Sequence, residues 1–344
     1  MKGPRQGYLP LVILFALAAL VAWIIASGGF PAASAAVAQA AAPLSLEAKI
    51  VLGPVAGRID HLAIDLAQQR LFVAELGNNS VGIVDLKARK LVHTISGLRE
   101  PQGVGYHAPT DTLYVANAGD GSVRMFRGSD YSDTGGIYLN ADADNIRLGA
   151  AADRIVVGYG NGALAVIDPK GLAKIADIPL KAHPEGFQLD AKSRRAFVNV
   201  PDAQAIVVVD LVTGQQKAAW PTNGARGNFP MAIDEASAQV VVVFRNPAKL
   251  RAYSMETGKA VNELDICGDS DDVFVDAKRK RLYVSCGAGY VDVVDTSASY
   301  KRLARIPTAA GARTSLFVPE LDRLFVAVRA GPGRPAEIWV YQPT

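Results

Sequence analysis

Residues 58–97 read RIDHLAIDLAQQRLFVAELGNNSVGIVDLKARKLVHTISG. Four short runs of apolar and β-branched residues alternate in this stretch with the turn-forming pieces LAQQR, GNNS and KARK. The pattern predicts a meander of four strands at His61–Asp65, Leu71–Leu76, Val81–Leu86 and Leu91–Ser96. A four-stranded sheet cannot bury both of its faces alone, so the unit is expected to recur along the chain.

The unit does recur. The second strand of each copy is predicted to begin after steps of 42, 42, 41, 44, 42 and 42 residues, at Leu71, Leu113, Ile155, Ala196, Val240, Leu282 and Leu324. Seven four-stranded units of this length are typical of the blades of a β-propeller. We therefore predict an all-β protein with a single domain over residues 44–344, a seven-bladed β-propeller of antiparallel blades.

The two ends of the predicted domain complement each other. Residues 46–53, LEAKIVLG, predict a strand that has no blade of its own, whereas the last unit stops at residue 344 after three strands. The N-terminal strand is expected to complete the last blade and close the ring. Closure of this kind protects two sheet edges that would otherwise be exposed.

Residues 1–43 have the pattern of a targeting segment with an Ala-rich linker. A basic start with Lys2 and Arg5 precedes the apolar run Leu9–Ala26, and Ala38-Gln39-Ala40 offers a cleavage site. A cleaved signal peptide is favoured; an uncleaved anchor is the alternative, since the run approaches the length that spans a bilayer. Both predict a periplasmic or secreted propeller that contacts the membrane only through this segment.

The charge and the missing motifs exclude several classes of function. The formal net charge is +3, and Lys2 and Arg5 of the leader supply two of those charges, so a nucleic-acid partner is not expected. The chain has no Gly-x-Ser-x-Gly, His-Glu-x-x-His, Walker A or Cys-x-x-Cys-His motif. This disfavours nucleophilic hydrolases, P-loop enzymes and c-type haem proteins, but a site assembled from several blades stays open.

The chain has two cysteines, Cys267 and Cys286, both in the sixth unit. In an exported protein such a pair predicts a disulfide. A redox pair or a metal site is the less favoured alternative, because there is no Cys-x-x-Cys spacing and no histidine nearby.

The repeats also resemble a known family. LYVANAGDGSVRMF (residues 113–126) and RLFVAELGNNSVGIVDL (residues 70–86) resemble the YVTN-type repeat, in which a Tyr-Val-Thr-Asn motif ends the second strand. Tyr114–Asn117 is the nearest copy, and units three and five depart from the motif. Such repeats build the bacterial YncE-like seven-bladed propellers, many of them exported. The resemblance covers residues 46–344 and implies a fold and an exported location, with no catalytic residues to transfer.

Aligned units predict a polar ring at one mouth of the central channel, because the first strand of every blade lines that channel. Eleven residues before each second strand lie Asp60, Gln102, Asp144, Glu185, Phe229, Asp271 and Arg313. The next position gives His61, Gly103, Asn145, Gly186, Pro230, Asp272 and Thr314. From these rows we predict a ligand-binding rim of Asp60, His61, Gln102, Asp144, Asn145, Glu185, Asp271, Asp272 and Arg313. An acidic ring favours a cation or a cationic ligand.

The acidic segments of units three and six could also bind a metal. Asp142–Asn145 and Asp269–Asp272 concentrate oxygen ligands that suit Ca²⁺ or Mg²⁺, so Asp144, Asp271 and Asp272 are candidate ligands of a divalent cation. The favoured alternative is that these aspartates bind backbone amides in turns and that no cofactor is present. The nearby arginines are expected to pair with the aspartates and order the rim.

The leading hypothesis is a monomeric binding or scaffold module of the bacterial cell envelope, with a small molecule or a protein at the channel mouth and no enzymatic activity. The alternative is a metal-dependent lactone or ester hydrolase, in which the acidic rim holds the ion and His61 or Glu185 acts as base. A third hypothesis is a substrate-delivery partner of a periplasmic redox enzyme.

Overall fold

The computed structural model describes residues 42–149 and 153–344, together with Met1 and Gly3. The predicted signal peptide or anchor therefore lies almost entirely outside the described residues. Within the described part of the chain, the structure has 28 strands in seven four-stranded sheets and three short 3₁₀ turns, at Leu76–Asn78, Ala108–Thr110 and Pro201–Ala203. No helix in this part is long and apolar enough to cross a membrane.

The chain begins with β1 (Leu44–Val51) and then forms the blades in order, each from the channel outward. Blade 1 contains β2 (Leu62–Asp65), β3 (Arg70–Glu75), β4 (Ser80–Asp85) and β5 (Lys90–Ser96). Blade 2 contains β6 (Pro101–His107), β7 (Thr112–Asn117), β8 (Ser122–Arg127) and β9 (Asp133–Tyr138). Blade 3 contains β10 (Ala143–Leu148), β11 (Ile155–Tyr159), β12 (Ala163–Asp168) and β13 (Ala173–Pro179).

The remaining blades follow the same plan. Blade 4 contains β14 (Phe187–Asp190), β15 (Arg195–Val200), β16 (Ala205–Asp210) and β17 (Gln215–Pro221). Blade 5 contains β18 (Arg226–Asp234), β19 (Gln239–Asn246), β20 (Ala248–Ser254) and β21 (Ala260–Asp265). Blade 6 contains β22 (Ser270–Asp276), β23 (Arg281–Cys286), β24 (Tyr290–Asp295) and β25 (Lys301–Pro307). Blade 7 contains β26 (Ser315–Val318), β27 (Arg323–Val328), β28 (Glu337–Pro343) and, outermost, β1.

The ring closes as the sequence predicts. Strand β1 pairs antiparallel with β28, from Leu44 opposite Pro343 to Val51 opposite Glu337. It begins two residues earlier than predicted, and its buried Leu44 and Ile50 pack into the core. The inner strands of neighbouring blades contact one another around the whole ring, including β26 of blade 7 with β2 of blade 1.

The core consists of seven apolar clusters, each between two neighbouring blades. Successive residues of one strand face different neighbours: Val240 packs in the cluster between blades 4 and 5, whereas Val241 packs between blades 5 and 6. Both faces of every blade are therefore covered. This explains why the second and third strands read as nearly continuous apolar runs rather than as an alternation.

In the six blades whose first hairpin is fully described, the inner strand ends in a tight turn. A residue with positive φ, between 50° and 56°, occupies this turn in six blades: Gln69, Asp111, Arg194, Ala238, Lys280 and Asp322. Aspartates at the ends of inner strands also accept hydrogen bonds from turn amides, for example Asp190 from Lys192 N at 3.0 Å. Below, the end of the channel where the inner strands begin is called the mouth, and the end where they finish is called the turn face.

The predicted disulfide is present. Cys267 and Cys286 are bonded in blade 6, which ties the loop leading into β22 to the end of β23. The same loop is held by a hydrogen bond from Cys267 N to Asp292 Oδ2 of 2.8 Å. The loop that carries the acidic segment of blade 6 is thus anchored just before it reaches the mouth.

Candidate ligand site at the channel mouth

The channel forms a cavity of about 590 Å³ lined by residues of all seven blades. Its wall is largely apolar along the inner strands, with Leu62, Val104, Ile146, Met231 and Val273 among the lining residues. The polar lining residues include a group from blades 1, 3, 4 and 6, which is His61, Asn145, Arg147, Glu185, Asp271 and Asp272. The cavity therefore combines an apolar body with a charged mouth.

His61 links two distant blades across the mouth. Its Nε2 lies 3.7 Å from Asp60 Oδ1 of its own blade, and its Nδ1 lies 3.8 Å from Asp272 Oδ1 of blade 6. Arg58 Nη2 donates to Asp60 Oδ2 at 2.7 Å, and Ser315 N donates to Asp272 Oδ2 at 2.7 Å. Two predicted rim acids and the rim histidine thus form one cluster that spans blade 7.

Burial dominates the protonation of this cluster. It raises the pKa of Asp60 to about 6 and that of Asp272 to about 7, although His61 acts to lower both. Burial also acts to lower the pKa of His61, but Asp272 and Asp60 outweigh it and the pKa lies above its ordinary value. Both carboxyl groups therefore titrate closer to neutral pH than ordinary aspartates.

Two arginines neutralise the acidic segment of blade 6. Asp271 accepts a hydrogen bond from Arg245 Nη2 of blade 5 and lies 2.8 Å from Arg313 Nε of blade 7. Arg313 Nη1 also donates to Asp269 Oδ1 at 2.9 Å. The Arg245 guanidinium stacks over the Phe229 ring at 3.9 Å from its centroid. The expected pairing of rim arginines with aspartates is present here and fixes the loops of three blades.

His183 organises the rim between blades 2 and 4. Its Nδ1 donates to the carbonyl oxygen of Gly160 at 2.6 Å, and its Nε2 lies 3.7 Å from Asp144 Oδ2. Gln102 Nε2 donates to Asp142 Oδ1 at 3.4 Å. Burial acts to lower the pKa of His183, but the hydrogen bonds to Asp144 and Gly160 outweigh it and raise the pKa to about 9. The imidazole is therefore the cationic partner of Asp144.

Three acceptor groups at the mouth have no partner among the described residues. Asn145 is 2% exposed and Asp144 is 5% exposed, and the Oδ1 atom of each is buried without a hydrogen bond. Glu185, which lines the cavity, makes no side-chain hydrogen bond or ion pair with any described residue. Burial, and next the charge of Asp144, raises the pKa of Glu185 to about 8.

Arg147 is the corresponding unpaired cation. It lines the cavity and no carboxylate of the described chain lies within ion-pair distance. Its Nη1 donates to the carbonyl oxygen of Ile146 at 2.8 Å, and its guanidinium lies 5.6 Å from the centroid of the Phe187 ring. Burial lowers the pKa of this guanidinium, against the opposing effect of Asp272 and Asp144. The expectation that rim arginines pair with aspartates therefore fails at Arg147.

The nine predicted rim residues are brought to one end of the channel, but their contacts differ. Five of them, His61, Asn145, Glu185, Asp271 and Asp272, line the cavity itself. The other four support that lining: Asp60 flanks His61, Gln102 binds Asp142, Asp144 faces His183 and Arg313 holds Asp271.

A further row of the repeat alignment also indicates residues that line the channel. Three residues beyond the first rim row, every blade presents a lining residue: Ala63, Gly105, Arg147, Gln188, Ala232, Phe274 and Leu316. Five of these seven are apolar or glycine, so Arg147 and Gln188 stand out. Extending the alignment by two rows would therefore have identified Arg147 as a channel residue.

The metal prediction receives no support from a preformed ligand set. No group of three or more His, Cys, Asp or Glu residues in the described part of the chain is arranged to hold a metal ion. Asp271 is already bound by Arg245 and Arg313, and Asp272 by Ser315 N. A divalent cation at Asp144, Asp271 and Asp272, and with it the metal-dependent hydrolase, stays a prediction.

Comparisons with known proteins establish the fold alone. No protein-family model matches the sequence, and no curated protein matches it. Among solved structures, a chain of a Mitotic Checkpoint Complex superposes with a TM-score of 0.73 at 13% identity, covering 86% of this chain and 91% of that one. A chain of Kuenenia stuttgartiensis hydrazine synthase superposes with a TM-score of 0.70 at 16% identity, covering 80% and 93%. At such identities these proteins share the propeller fold with this chain.

Proposed function

We propose that this protein is an exported binding module of the bacterial cell envelope, of the YncE-like kind built from YVTN-type repeats, and that it binds a small molecule at the channel mouth. One observation carries the proposal. Buried polar groups from four blades converge on one end of the cavity, and some of them have no partner.

The unpartnered groups support a ligand because buried polar atoms without hydrogen bonds are costly, at about 1–3 kcal/mol each. Asn145 Oδ1 is such an atom, and a ligand that supplies it with a donor recovers this cost on binding. Glu185 offers the same ligand a carboxyl group that has no ion pair with a described residue. The ring is also rigid, since inner strands contact one another around the whole channel, so little conformational entropy is lost when the site is filled. A cavity of about 590 Å³ lies within the usual range for small-molecule sites.

Export is supported by two independent features. Residues 1–43 contain a basic segment followed by an apolar segment, the pattern that is typical of a signal peptide. The Cys267–Cys286 disulfide is of the kind that persists in oxidising compartments such as the periplasm.

Native mass spectrometry tests whether the protein binds a small molecule at this site. The full chain is expressed with its leader and the mature protein is purified gently from the periplasm. We expect a small-molecule adduct that is lost in Asn145→Leu, a change that keeps the branching and the number of side-chain heavy atoms and removes one unsatisfied acceptor. Lys278→Ala, whose side chain is 72% exposed on the turn face, is the matched control and should keep the adduct.

An adduct that survives Asn145→Leu would place the ligand elsewhere and contradict the proposed site. Protein that carries no adduct and shows no thermal shift across a metabolite library would contradict the binding function. Export is tested separately by fractionation and by the intact mass of the mature chain. A chain that keeps its leader in the cytoplasm, with both cysteines open to alkylation, would refute that part.

A further inference from the structure

Two side chains of opposite charge line the cavity without an ion pair in the described part of the chain, Glu185 of blade 4 and Arg147 of blade 3. They do not pair with each other. The acids of the predicted rim and of its two acidic segments have cationic neighbours: Arg58 and His61 for Asp60, His61 for Asp272, His183 for Asp144 and Asp142, and Arg245 and Arg313 for Asp269 and Asp271. Glu185 and Arg147 are charged residues of the cavity lining that form no such pair with a described residue.

The two groups lie on adjoining elements. Arg147 follows Asn145 by two residues on β10, and its guanidinium packs over Phe187 at the start of β14, two residues after Glu185. Strands β10 and β14 are neighbours in the ring. Two residues of extended strand span about 6–7 Å, so the anionic and cationic ends of the site are offset along the channel axis.

We propose, on the basis of the binding function above, that the ligand is a zwitterion, with an ammonium group bound by Glu185 and Asn145 Oδ1 and a carboxylate bound by Arg147. An ammonium has three N–H donors and no acceptor, which suits the unpartnered Asn145 Oδ1 atom and the Glu185 carboxyl without an ion pair. A guanidinium presents a planar fork of donors to a carboxylate. The apolar wall below accommodates the carbon chain between the two charged ends.

An ammonium is a better match than a metal ion for this set of groups. The nearby acceptors are one amide oxygen, the Oδ1 atom of Asp144 and the carboxyl of Glu185, and they form no group that could hold a metal in the described chain. Asn145 contributes independently of the acids, since this uncharged residue lines the cavity, is 2% exposed and has an Oδ1 atom without a hydrogen bond.

Binding should be linked to proton release. The groups that face Glu185 are Asp144 and Asp271, which disfavour its ionisation, and His183 and Arg245, which favour it. With its pKa at about 8, Glu185 is mostly protonated at pH 7 in the empty site. An ammonium that binds the carboxylate therefore displaces about one proton. Affinity should rise with pH until it levels off above about pH 8.

Isothermal titration calorimetry of the mature protein tests the inference. The probes are the ω-amino acids from glycine to 6-aminohexanoate, which vary the distance between the charges, and for each length the n-alkylamine and the n-alkanoate. We expect one zwitterion to bind at least tenfold more tightly than both of its single-charge analogues. Titrations at pH 7 in phosphate and in Tris should show release of about one proton.

Substitutions test the anionic and the cationic end of the site one at a time. Glu185→Gln and Arg147→Met should each weaken the best zwitterion at least tenfold, and Arg147→Met should abolish its advantage over the alkylamine. Arg147→Met keeps an apolar stem against Phe187, and melting temperatures check that both variants fold. Lys278→Ala should leave the affinity unchanged.

Equal affinities for zwitterion and alkylamine, or unchanged binding in Arg147→Met, would overturn the proposal that the ligand is a zwitterion. An adduct that is lost in Asn145→Leu, combined with no preference for zwitterions, would overturn this inference and leave the binding function in place. No adduct and no binding of any probe would overturn both.

Discussion

Asp272 and Asp276 lie four residues apart on β22, at opposite ends of the channel, and their carboxyl groups differ in how many hydrogen bonds they accept. At the mouth, Asp272 has one hydrogen bond, from Ser315 N, and His61 lies 3.8 Å away. At the turn face, Asp276 accepts hydrogen bonds from Arg279 N, Arg279 Nη1 and Tyr283 OH at 3.1, 3.0 and 2.7 Å. The carboxylate at the turn face is fully satisfied, and the one at the mouth is not.

The pKa values of the carboxyl groups also differ between the mouth and the turn face. Burial raises the pKa of Asp272 to about 7, whereas hydrogen bonding to Arg279 lowers the pKa of Asp322 to about 2. The turn face thus uses its charges to join blades 6 and 7. The mouth keeps groups that are costly to ionise, which is expected of a site that a ligand completes.

The largest loss of stability is expected when the ion pairs of the turn face are removed. Arg279 contacts Asp276, Asp322 and the carbonyl oxygen of Pro343, and its side chain is 15% exposed while that of Asp276 is 2% exposed. Arg279→Leu leaves a buried carboxylate without its cation and should cost about 3 kcal/mol of unfolding free energy. Urea denaturation measures this, with Lys278→Ala as the exposed control, expected to change by less than about 0.5 kcal/mol. Equal losses in the two variants would contradict the contrast between the ends.

At the mouth, Glu185→Gln should raise the free energy of unfolding rather than lower it. Since the pKa of Glu185 is raised from 4.5 to about 8, the folded protein loses stability as the pH rises through that interval. The amide removes this loss, so the variant should be more stable than the wild type at pH 9, by about 1–2 kcal/mol once solvent screening of the partly exposed carboxyl is allowed for, and equally stable at pH 4. Glu235→Gln, at an exposed glutamate paired with Lys192, is the control. A variant that is less stable than the wild type at pH 9 would show that Glu185 has a structural partner.

Asp322→Asn should give the smallest effect. Because the pKa of Asp322 is lowered from 3.8 to about 2, its stabilising contribution is present above pH 4 and is lost as the pH falls toward 2. We expect a cost of about 1 kcal/mol at pH 7, reduced by the partial exposure of the pair. Urea midpoints of wild type and variant should converge below pH 4; a constant gap down to pH 2.5 would refute an ionic origin.

The sequence predicts the ring well because the repeat imposes it. Seven equivalent positions, from Leu71 to Leu324, define the blades, and the unpaired strand at Leu44–Val51 defines the closure. Strand limits differ from prediction by one or two residues, since hairpin turns such as that at Gln69 take residues from either side. The rim rows are equally predictable, since each blade presents the same positions to the channel.

The pairing of charges at the rim could not be predicted in the same way. An alignment compares equivalent positions, whereas pairing depends on which side chains of different blades meet. His61 reaches Asp272 across blade 7, and Arg245 reaches Asp271 from the end of β19, the second strand of blade 5. Only the three-dimensional arrangement leaves Glu185 and Arg147 without ion-pair partners in the described chain.

One NMR titration tests the central claim most directly. Carbon-13 spectra of the side-chain carboxyls follow Glu185 and Asp322 in one sample of the ligand-free protein, with Glu185→Gln and Asp322→Asn for assignment. The account predicts titration midpoints of about 8 for Glu185 and about 2 for Asp322. A midpoint near 4.5 for Glu185 would mean that the mouth is an ordinary solvated rim, and it would contradict the ligand site.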